Sequence, residues 1–137
     1  MNSAVLLDTH AAIWIAGAYP LSSAGKSAVD MASEQSAAFV SPITAWEVAT
    51  LVSKKRLSLT MDVGAWFESL LRLQGAALAQ MPPRVLIASR FLPGDPPSDP
   101  ADRILAATAR EYGMTLLTRD RLLLDYAERG HLNAIAC

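Results

Sequence analysis

Acidic side chains that follow predicted strands carry the chemistry that this sequence suggests. Asp8 comes directly after the apolar run at residues 4–7, and Asp120 lies two positions beyond the run at residues 115–118. In open parallel sheets, ligands bind beyond the carboxyl ends of the strands, close to the switch point in strand order. Both carboxylates are therefore expected at one edge of one sheet.

Three further acids are placed to reach that edge. Glu47 lies about one turn into a predicted helix, where Trp46 and Val48 indicate a partly buried setting, and Asp99 and Asp102 open a later helix. Clustered carboxylates repel one another unless a cation neutralises them, and hard divalent ions such as Mg²⁺ prefer oxygen ligands. An ion held in this way activates water and stabilises charge on a phosphate. The pattern favours a phosphodiesterase or nuclease over acyl transfer.

Each acid also has a structural interpretation when it is considered alone. Asp8 is in a position typical of a helix cap or a turn, and Asp99 before Pro100 is expected to be an N-cap. Asp120 has arginines near it with which it could form an ion pair, namely Arg103, Arg119 and Arg121. The convergence of several acids on one edge, without matching lysines, is what favours a site.

Other chemistries have little support in the sequence. It contains no Gly-rich phosphate loop and no Gly-x-Ser-x-Gly elbow. His10 and His131 are too few for a His-rich metal site, although His10 is near enough to Asp8 to approach the acids. Cys137 is the single cysteine, which excludes an internal disulfide and a cysteine zinc cluster and is consistent with a reducing cytoplasm.

Composition predicts one globular domain over residues 1–137. The chain is 52% hydrophobic and 18% charged, so it can bury a core, and disorder is excluded. Twelve Lys and Arg against 13 Asp and Glu give a net charge of -1, so any nucleic-acid contact must come from a local patch. No apolar window of about 18 residues and no signal peptide is visible, so we expect a cytoplasmic protein without a membrane segment.

Strand-like and helix-like segments alternate along the chain. Strands are predicted at residues 4–7, 37–40, 76–79, 115–118 and 132–136, the last at a sheet edge. Helices are predicted at residues 9–16, 21–36, 42–54, 62–73, 83–91, 100–112 and 121–128. This alternation predicts an α/β sandwich around a mostly parallel sheet with right-handed crossovers.

Four segments resemble the motifs of one known family. They are residues 6–10 (LLDTH) with Ile13 and Trp14, residues 41–49 (SPITAWEVA), residues 99–109 (DPADRILAATA) and residues 116–120 (LLTRD). In this order and spacing they resemble PIN-domain proteins, specifically the VapC-type toxins of bacterial toxin–antitoxin systems. The resemblance covers almost the whole chain, and four motifs in sequence are far more specific than one.

The resemblance implies a three-layer α/β/α fold and an endoribonuclease toxin that depends on Mg²⁺ or Mn²⁺. Its acidic quartet would be Asp8, Glu47, Asp102 and Asp120. Asp8 and Asp102 would contact the metal directly, and Asp120 directly or through water. Glu47 would orient a water or a second ion, while Asp99 is assigned mainly to capping.

The resemblance also implies partners: an RNA substrate, a second copy in a homodimer, and a cognate antitoxin that inserts a segment into the acidic groove. Apolar helix residues are candidates for the covered surface, although packing in the core is the expected role of each; they are Trp46, Leu51, Trp66 and Leu70. The sequence departs from the pattern at residues 96–98 (PPS), where close relatives often carry a histidine, and at Lys55, where many have glycine.

Two sets of basic residues are candidates for holding substrate phosphates. Lys54, Lys55 and Arg56 form the densest basic run, and Arg103, Arg119 and Arg121 adjoin the third and fourth motifs. Phosphate contacts of this kind position a nucleic acid without reading its sequence. The structural alternative is a solvated helix end for the run and salt bridges for the arginines.

Two other functions are possible for the same fold class. A catalytically silent PIN-like module would bind RNA or protein, and the intact acidic quartet argues against it. A phosphatase-like hydrolase with Asp8 as its nucleophile would need a second acid two residues later, where His10 stands.

Overall fold

A single all-parallel sheet forms the middle of the molecule. The computed structural model describes residues 4–73 and 75–137. Its strands are β1 (Val5–Leu7), β2 (Ala38–Val40), β3 (Ala76–Leu78), β4 (Thr115–Thr118) and β5 (Ala134–Ala136). Their order is β3-β2-β1-β4-β5, and each of the four pairings is parallel. The predicted parallel sheet is confirmed.

The central strand β1 is apolar because it is covered on both faces. Val5, Leu6 and Leu7 are all buried, as is typical of a parallel strand between two layers of helices. Leu7 is level with Val40 in β2 and with Leu117 in β4. The carboxyl ends of these three strands therefore meet at one edge, and Asp8 is the first residue beyond it.

Seven helices are described around the sheet. They are α1 (Thr9–Ala16), α2 (Ser23–Glu34), α3 (Pro42–Ser53), α4 (Val63–Leu71), α5 (Pro83–Ala88), α6 (Pro100–Tyr112) and α7 (Arg121–Glu128). Residues of α1 to α4 pack with Val5 and Leu7 in one core, and residues of α6 and α7 pack with Leu6 in a second. The result is a three-layer α/β/α sandwich. None of the described helices is apolar and long enough to cross a membrane.

Several predicted boundaries are wrong by a few residues because capping residues were counted as helix or because strands are short. The helix predicted from residue 21 begins at Ser23, since the Ser22 side chain caps it by accepting from the Gly25 N–H. Asp62 likewise caps α4 instead of joining it. The helix predicted at 83–91 ends at Ala88, β3 ends at residue 78, and β5 starts at residue 134.

Candidate acidic active site

Three aspartates at the sheet edge are helix N-caps. The Oδ1 atoms of Asp8, Asp99 and Asp120 accept from backbone N–H groups of α1, α6 and α7 at 2.8, 3.0 and 3.0 Å. The positive ends of three helix dipoles thus point at these carboxylates, which favours negative charge there. The capping interpretation and the site interpretation are compatible, because capping uses one carboxylate oxygen of each residue.

Asp8 is the most enclosed acid, with 5% of its surface exposed. Its Oδ2 accepts a hydrogen bond from the Thr118 hydroxyl, whose oxygen accepts from the Asp120 N–H at 3.0 Å. Burial raises the pKa of the Asp8 carboxyl, and the Thr118 hydroxyl lowers it in part. Thr118 therefore links the ends of β1 and β4 and fixes the orientation of Asp8.

Glu47 is held at the same edge by a hydroxyl from α1. The buried Thr9 hydroxyl donates to Glu47 Oε1 and lies 3.4 Å from the Thr44 hydroxyl oxygen. Burial raises the pKa of Glu47, and the charges of Asp99 and Asp8 raise it further.

Trp46 was expected in the core, and that expectation is wrong. Its side chain is 63% exposed, while Val48 is fully buried. Thr44 and Val48 are one helical turn apart and share the inner face of α3, so Trp46 between them turns outward. Trp66 and Leu70 are buried core residues as expected, and Leu51 is partly buried.

The other three carboxyls of the quartet, together with Asp99, act electrostatically on Asp102. Its pKa is raised to about 7, first by burial and then by four negative neighbours: Asp99, Asp120, Glu47 and Asp8. The exposed His10 lowers the pKa of both Asp8 and Glu47. The structure therefore brings the predicted quartet, and Asp99, into one poorly neutralised cluster.

The donor set of this edge fits Mg²⁺ or Mn²⁺ by its chemistry. The available ligands are carboxylate and hydroxyl oxygens, which hard cations prefer. Within residues 4–73 and 75–137, no three His, Cys, Asp or Glu side chains form a ready-made coordination cluster. Mg²⁺ does not need one, since it usually keeps several waters and binds through one or two carboxylates together with substrate phosphates.

The arginines beside the acids are not bound to Asp120. Arg103 donates instead to the backbone oxygens of Ser89 at 2.8 Å and Pro97 at 3.3 Å. Arg121 lies 3.9 Å from Asp125 on its own helix. Among the described residues, Asp120 therefore forms none of the suggested ion pairs. Arg103 instead holds the proline-rich loop by a hydrogen bond to Pro97, in the segment where the resemblance leads one to expect a histidine.

Arg119 lies next to Asp120 in sequence and is stacked on an indole. Its guanidinium carbon is 3.4 Å from the centroid of the Trp14 ring, and its Nη2 donates to the backbone oxygen of Cys137 at 2.9 Å. This arrangement was not predicted. Trp14 was noted only within a motif, and the residue that holds Glu47, Thr9, was missed as well.

The basic run is fully at the surface. Lys54, Lys55 and Arg56 are all exposed, and Lys54 is the C-cap of α3. Lys55 has a left-handed backbone with φ of 59°, a conformation that glycine adopts at no steric cost. The glycine that the resemblance leads one to expect at this position would adopt this conformation without strain.

Comparisons with known proteins agree with this fold. The family model described as PIN domain matches residues 5–129, so the chain belongs to the PIN-domain family. It is 37% identical over 123 residues to Ribonuclease VapC22 of Mycobacterium tuberculosis, covering 89% of this chain and 91% of that protein. The resemblance to VapC-type members of the family is thereby confirmed.

Solved structures share the fold at lower identity. One is described as VapBC2 from Rickettsia felis bound to a DNA fragment from its promoter; it has a TM-score of 0.65 and 13% identity, covering 96% of this chain and 97% of that one. Another is FitAcB from Neisseria gonorrhoeae, with a TM-score of 0.56, 20% identity and coverage of 96% of both chains. The α/β/α architecture therefore extends over nearly the whole chain.

Proposed function

We propose that this chain is a metal-dependent endoribonuclease that hydrolyses RNA phosphodiester bonds. The observation that carries the proposal is the cluster of carboxyls at the sheet edge, where burial first and four negative neighbours second raise the pKa of Asp102 to about 7. A folded protein gains nothing in stability from such a cluster, so a bound cation is the simplest reason to keep it. The name of the VapC22 relative supports RNA as the substrate.

Asp8, Asp102 and Asp120 would hold Mg²⁺ or Mn²⁺. When bound, such an ion acts as a Lewis acid that lowers the pKa of water and balances charge on a phosphate. The chain's own residues do the positioning: Thr118 fixes one oxygen of Asp8, and Thr9 fixes one oxygen of Glu47. This leaves the second oxygen of Glu47 to orient a water and receive its proton.

Cleavage of total cellular RNA by the purified chain tests the proposal. Reactions with Mg²⁺ or Mn²⁺ and with a chelator are compared by sequencing the new RNA ends. We expect discrete cuts that need the metal and disappear in Asp8→Asn. A matched control is Asp62→Asn, because Asp62 is also an N-cap but belongs to α4, and it should cut as the wild type does.

Two outcomes would contradict the nuclease proposal. Cuts that persist in chelator and in Asp8→Asn would point to a contaminating ribonuclease. The absence of cuts by folded protein shown to carry no bound partner would favour the alternative, a silent PIN-like module that binds RNA or protein.

We further propose that the chain is the toxin of a toxin–antitoxin pair, binds a cognate antitoxin and forms a homodimer. Large apolar side chains at the surface support covered faces; they include Trp46, Ile87, Phe91 and Leu122. Light scattering on the purified chain should give twice the chain mass of 14.7 kDa. Co-expression with a small neighbouring reading frame should yield a complex that no longer cuts RNA, and unchanged cutting would contradict the pairing.

A further inference from the structure

An aromatic and cationic platform lies beside the acidic edge. Trp14, Tyr19, Pro20 and Arg119 line a cavity of about 360 Å³. The Arg119 guanidinium stacks on the Trp14 ring and is fixed by its bond to the Cys137 oxygen. One wall of the cavity is therefore formed by a guanidinium stacked on an indole.

Tyr19 is held in place by the turn that ends α1. Its N–H donates to the Trp14 oxygen at 2.9 Å, and Ala18 before it has a left-handed φ of 58°. The ring lies so close to Gly17 that a Cβ there would come 2.7 Å from Tyr19 Cε2. Tyr19 is nevertheless 63% exposed, so much of the residue is accessible to a ligand.

Arg119 is not paired with an Asp or Glu side chain in the part of the chain that the structure describes. No acidic side chain among the described residues lies within ion-pair distance of it. Its Nη2 donates to an oxygen of Cys137, the last residue of the sequence, and the guanidinium also hydrogen-bonds the Cys137 side chain. A guanidinium offers five N–H donors in all. By contrast, Arg103 directs its guanidinium at two backbone oxygens. The remaining N–H groups of Arg119 can donate to an anionic ligand. In sequence, Arg119 lies between Thr118 and Asp120 of the acidic edge.

We propose that this platform binds a nucleotide of single-stranded RNA next to the phosphate that is cleaved. The base stacks on Tyr19 and on the open side of the Trp14–Arg119 pair, and Arg119 donates to a flanking phosphate. Aromatic rings and arginine planes are the surfaces on which proteins stack unpaired bases. The inference rests on the proposed nuclease function and adds to it a base-binding subsite outside the quartet.

Binding to uncut RNA tests the platform independently of catalysis. The probes are labelled 12-nucleotide oligoadenylate and oligouridylate RNAs, and the protein carries Asp8→Asn. Their affinities are measured by fluorescence anisotropy over a salt series. Tyr19→Leu should weaken oligoadenylate binding by at least about fivefold, the lower end of one lost stacking contact, and should weaken oligouridylate binding less.

Arg119 is tested by charge and by shape. Arg119→Gln should reduce the slope of log affinity against log salt by about 0.7, the value for one phosphate on a single strand. Arg119→Lys should keep the slope but lose affinity, because an ammonium does not stack as a plane. The controls are Tyr112→Leu and Arg72→Gln, at the far end of α6 and the end of α4, and both should bind as the parent does.

The two proposals fail in different ways. Thermal melts confirm that each variant is folded. If Tyr19→Leu and Arg119→Gln then bind RNA as the parent does, the platform proposal is overturned. The cavity would in that case be a site for a protein segment. Platform-dependent binding by a wild-type chain that cuts no RNA would overturn the nuclease function and retain the base site.

Discussion

At the scale of single residues, Asp102 binds a proton that an ordinary aspartate would have lost. Its folded pKa of about 7 lies above 3.8, the ordinary pKa of an aspartate side chain. Between these values the folded state binds more protons than the unfolded state, so stability falls as pH rises from about 4 to 7. Without metal, the ionised cluster is therefore a cost to the fold at neutral pH.

Removing this charge should stabilise the protein while it abolishes cleavage. At pH 7.5 in chelator, Asp102→Asn is expected to raise the free energy of unfolding by about 2 kcal/mol, which discounts the full shift for partial exposure. Its stability should also depend less on pH between 4 and 7. Urea melts across this range measure both effects. A variant that is less stable than wild type at pH 7.5 would contradict the assigned repulsion.

Arg103 is expected to act on the loop and not on RNA. Arg103→Gln removes the bonds to the Ser89 and Pro97 oxygens and should cost about 1–3 kcal/mol of unfolding free energy. The salt dependence of RNA binding should stay unchanged, in contrast to Arg119→Gln. A flatter salt slope with unchanged stability would return Arg103 to the phosphate-binding role considered from sequence.

The sequence is sufficient to place the acids at one edge of the sheet and insufficient to predict two of the contacts beside them. Asp8 and Asp120 follow from strand ends, since parallel strands share an edge. The hydroxyl of Thr9 on Glu47 and the stacking of Arg119 on Trp14 join residues 38 and 105 positions apart. No periodicity encodes such pairs, because they depend on how helices pack over the sheet.

At the scale of elements, the sequence predicts the bounds of helices and strands well where a capping residue or an apolar run marks the start. The helices α1 and α7 and the strand β4 have the predicted bounds, since an aspartate cap or an apolar run marks each start. Trp46 shows the limit of this reasoning. The helix that carries it was predicted correctly, but the outward direction of its side chain was not, because that direction depends on which face of α3 packs against α1 and α6.

The turn after α3 offers a test of backbone strain. Lys55→Gly should raise the free energy of unfolding by about 0.5–1 kcal/mol, because glycine relieves the left-handed cost at this position. Lys54→Gly is the matched control: its φ of -89° is ordinary, so the added freedom of the unfolded chain should lower stability. Thermal melts that give the same sign for both variants would refute this explanation.

The basic run itself is tested by a triple substitution. Replacing Lys54, Lys55 and Arg56 by Ala should weaken RNA binding and flatten its salt dependence, if the run holds phosphates. The measurement uses the Asp8→Asn parent so that the RNA stays uncut. Unchanged affinity and slope would leave the run as a solvated helix end.

At the scale of the whole molecule, the order of strands was beyond prediction from the sequence. Alternating segments predict a parallel sheet, but the position of β1 between β2 and β4 arises from crossovers that only packing selects. That position is what brings residues 8, 47, 102 and 120 to one edge.

Divalent metal should stabilise the entire fold through this edge. At a Mg²⁺ concentration about a hundredfold above its dissociation constant, the free energy of unfolding should rise by about 2.7 kcal/mol. Chelator should reverse the gain, and NaCl of equal ionic strength should not reproduce it. Thermal melts of wild type and Asp102→Asn measure the effect, and an equal gain in both would place the ion elsewhere.

The hydrogen bond between Thr118 and Asp8 joins residues 110 positions apart, and it has a consequence for synthesis in the cell. A nascent chain that has released β1, β2 and β3 has three of the five described strands and still lacks the Thr118 hydroxyl that donates to Asp8. The acidic edge is completed only when β4 inserts beside β1 and α7 follows it. On the proposed nuclease function, a polypeptide still emerging from the ribosome would leave the RNA around it uncut until almost all of its length has been translated.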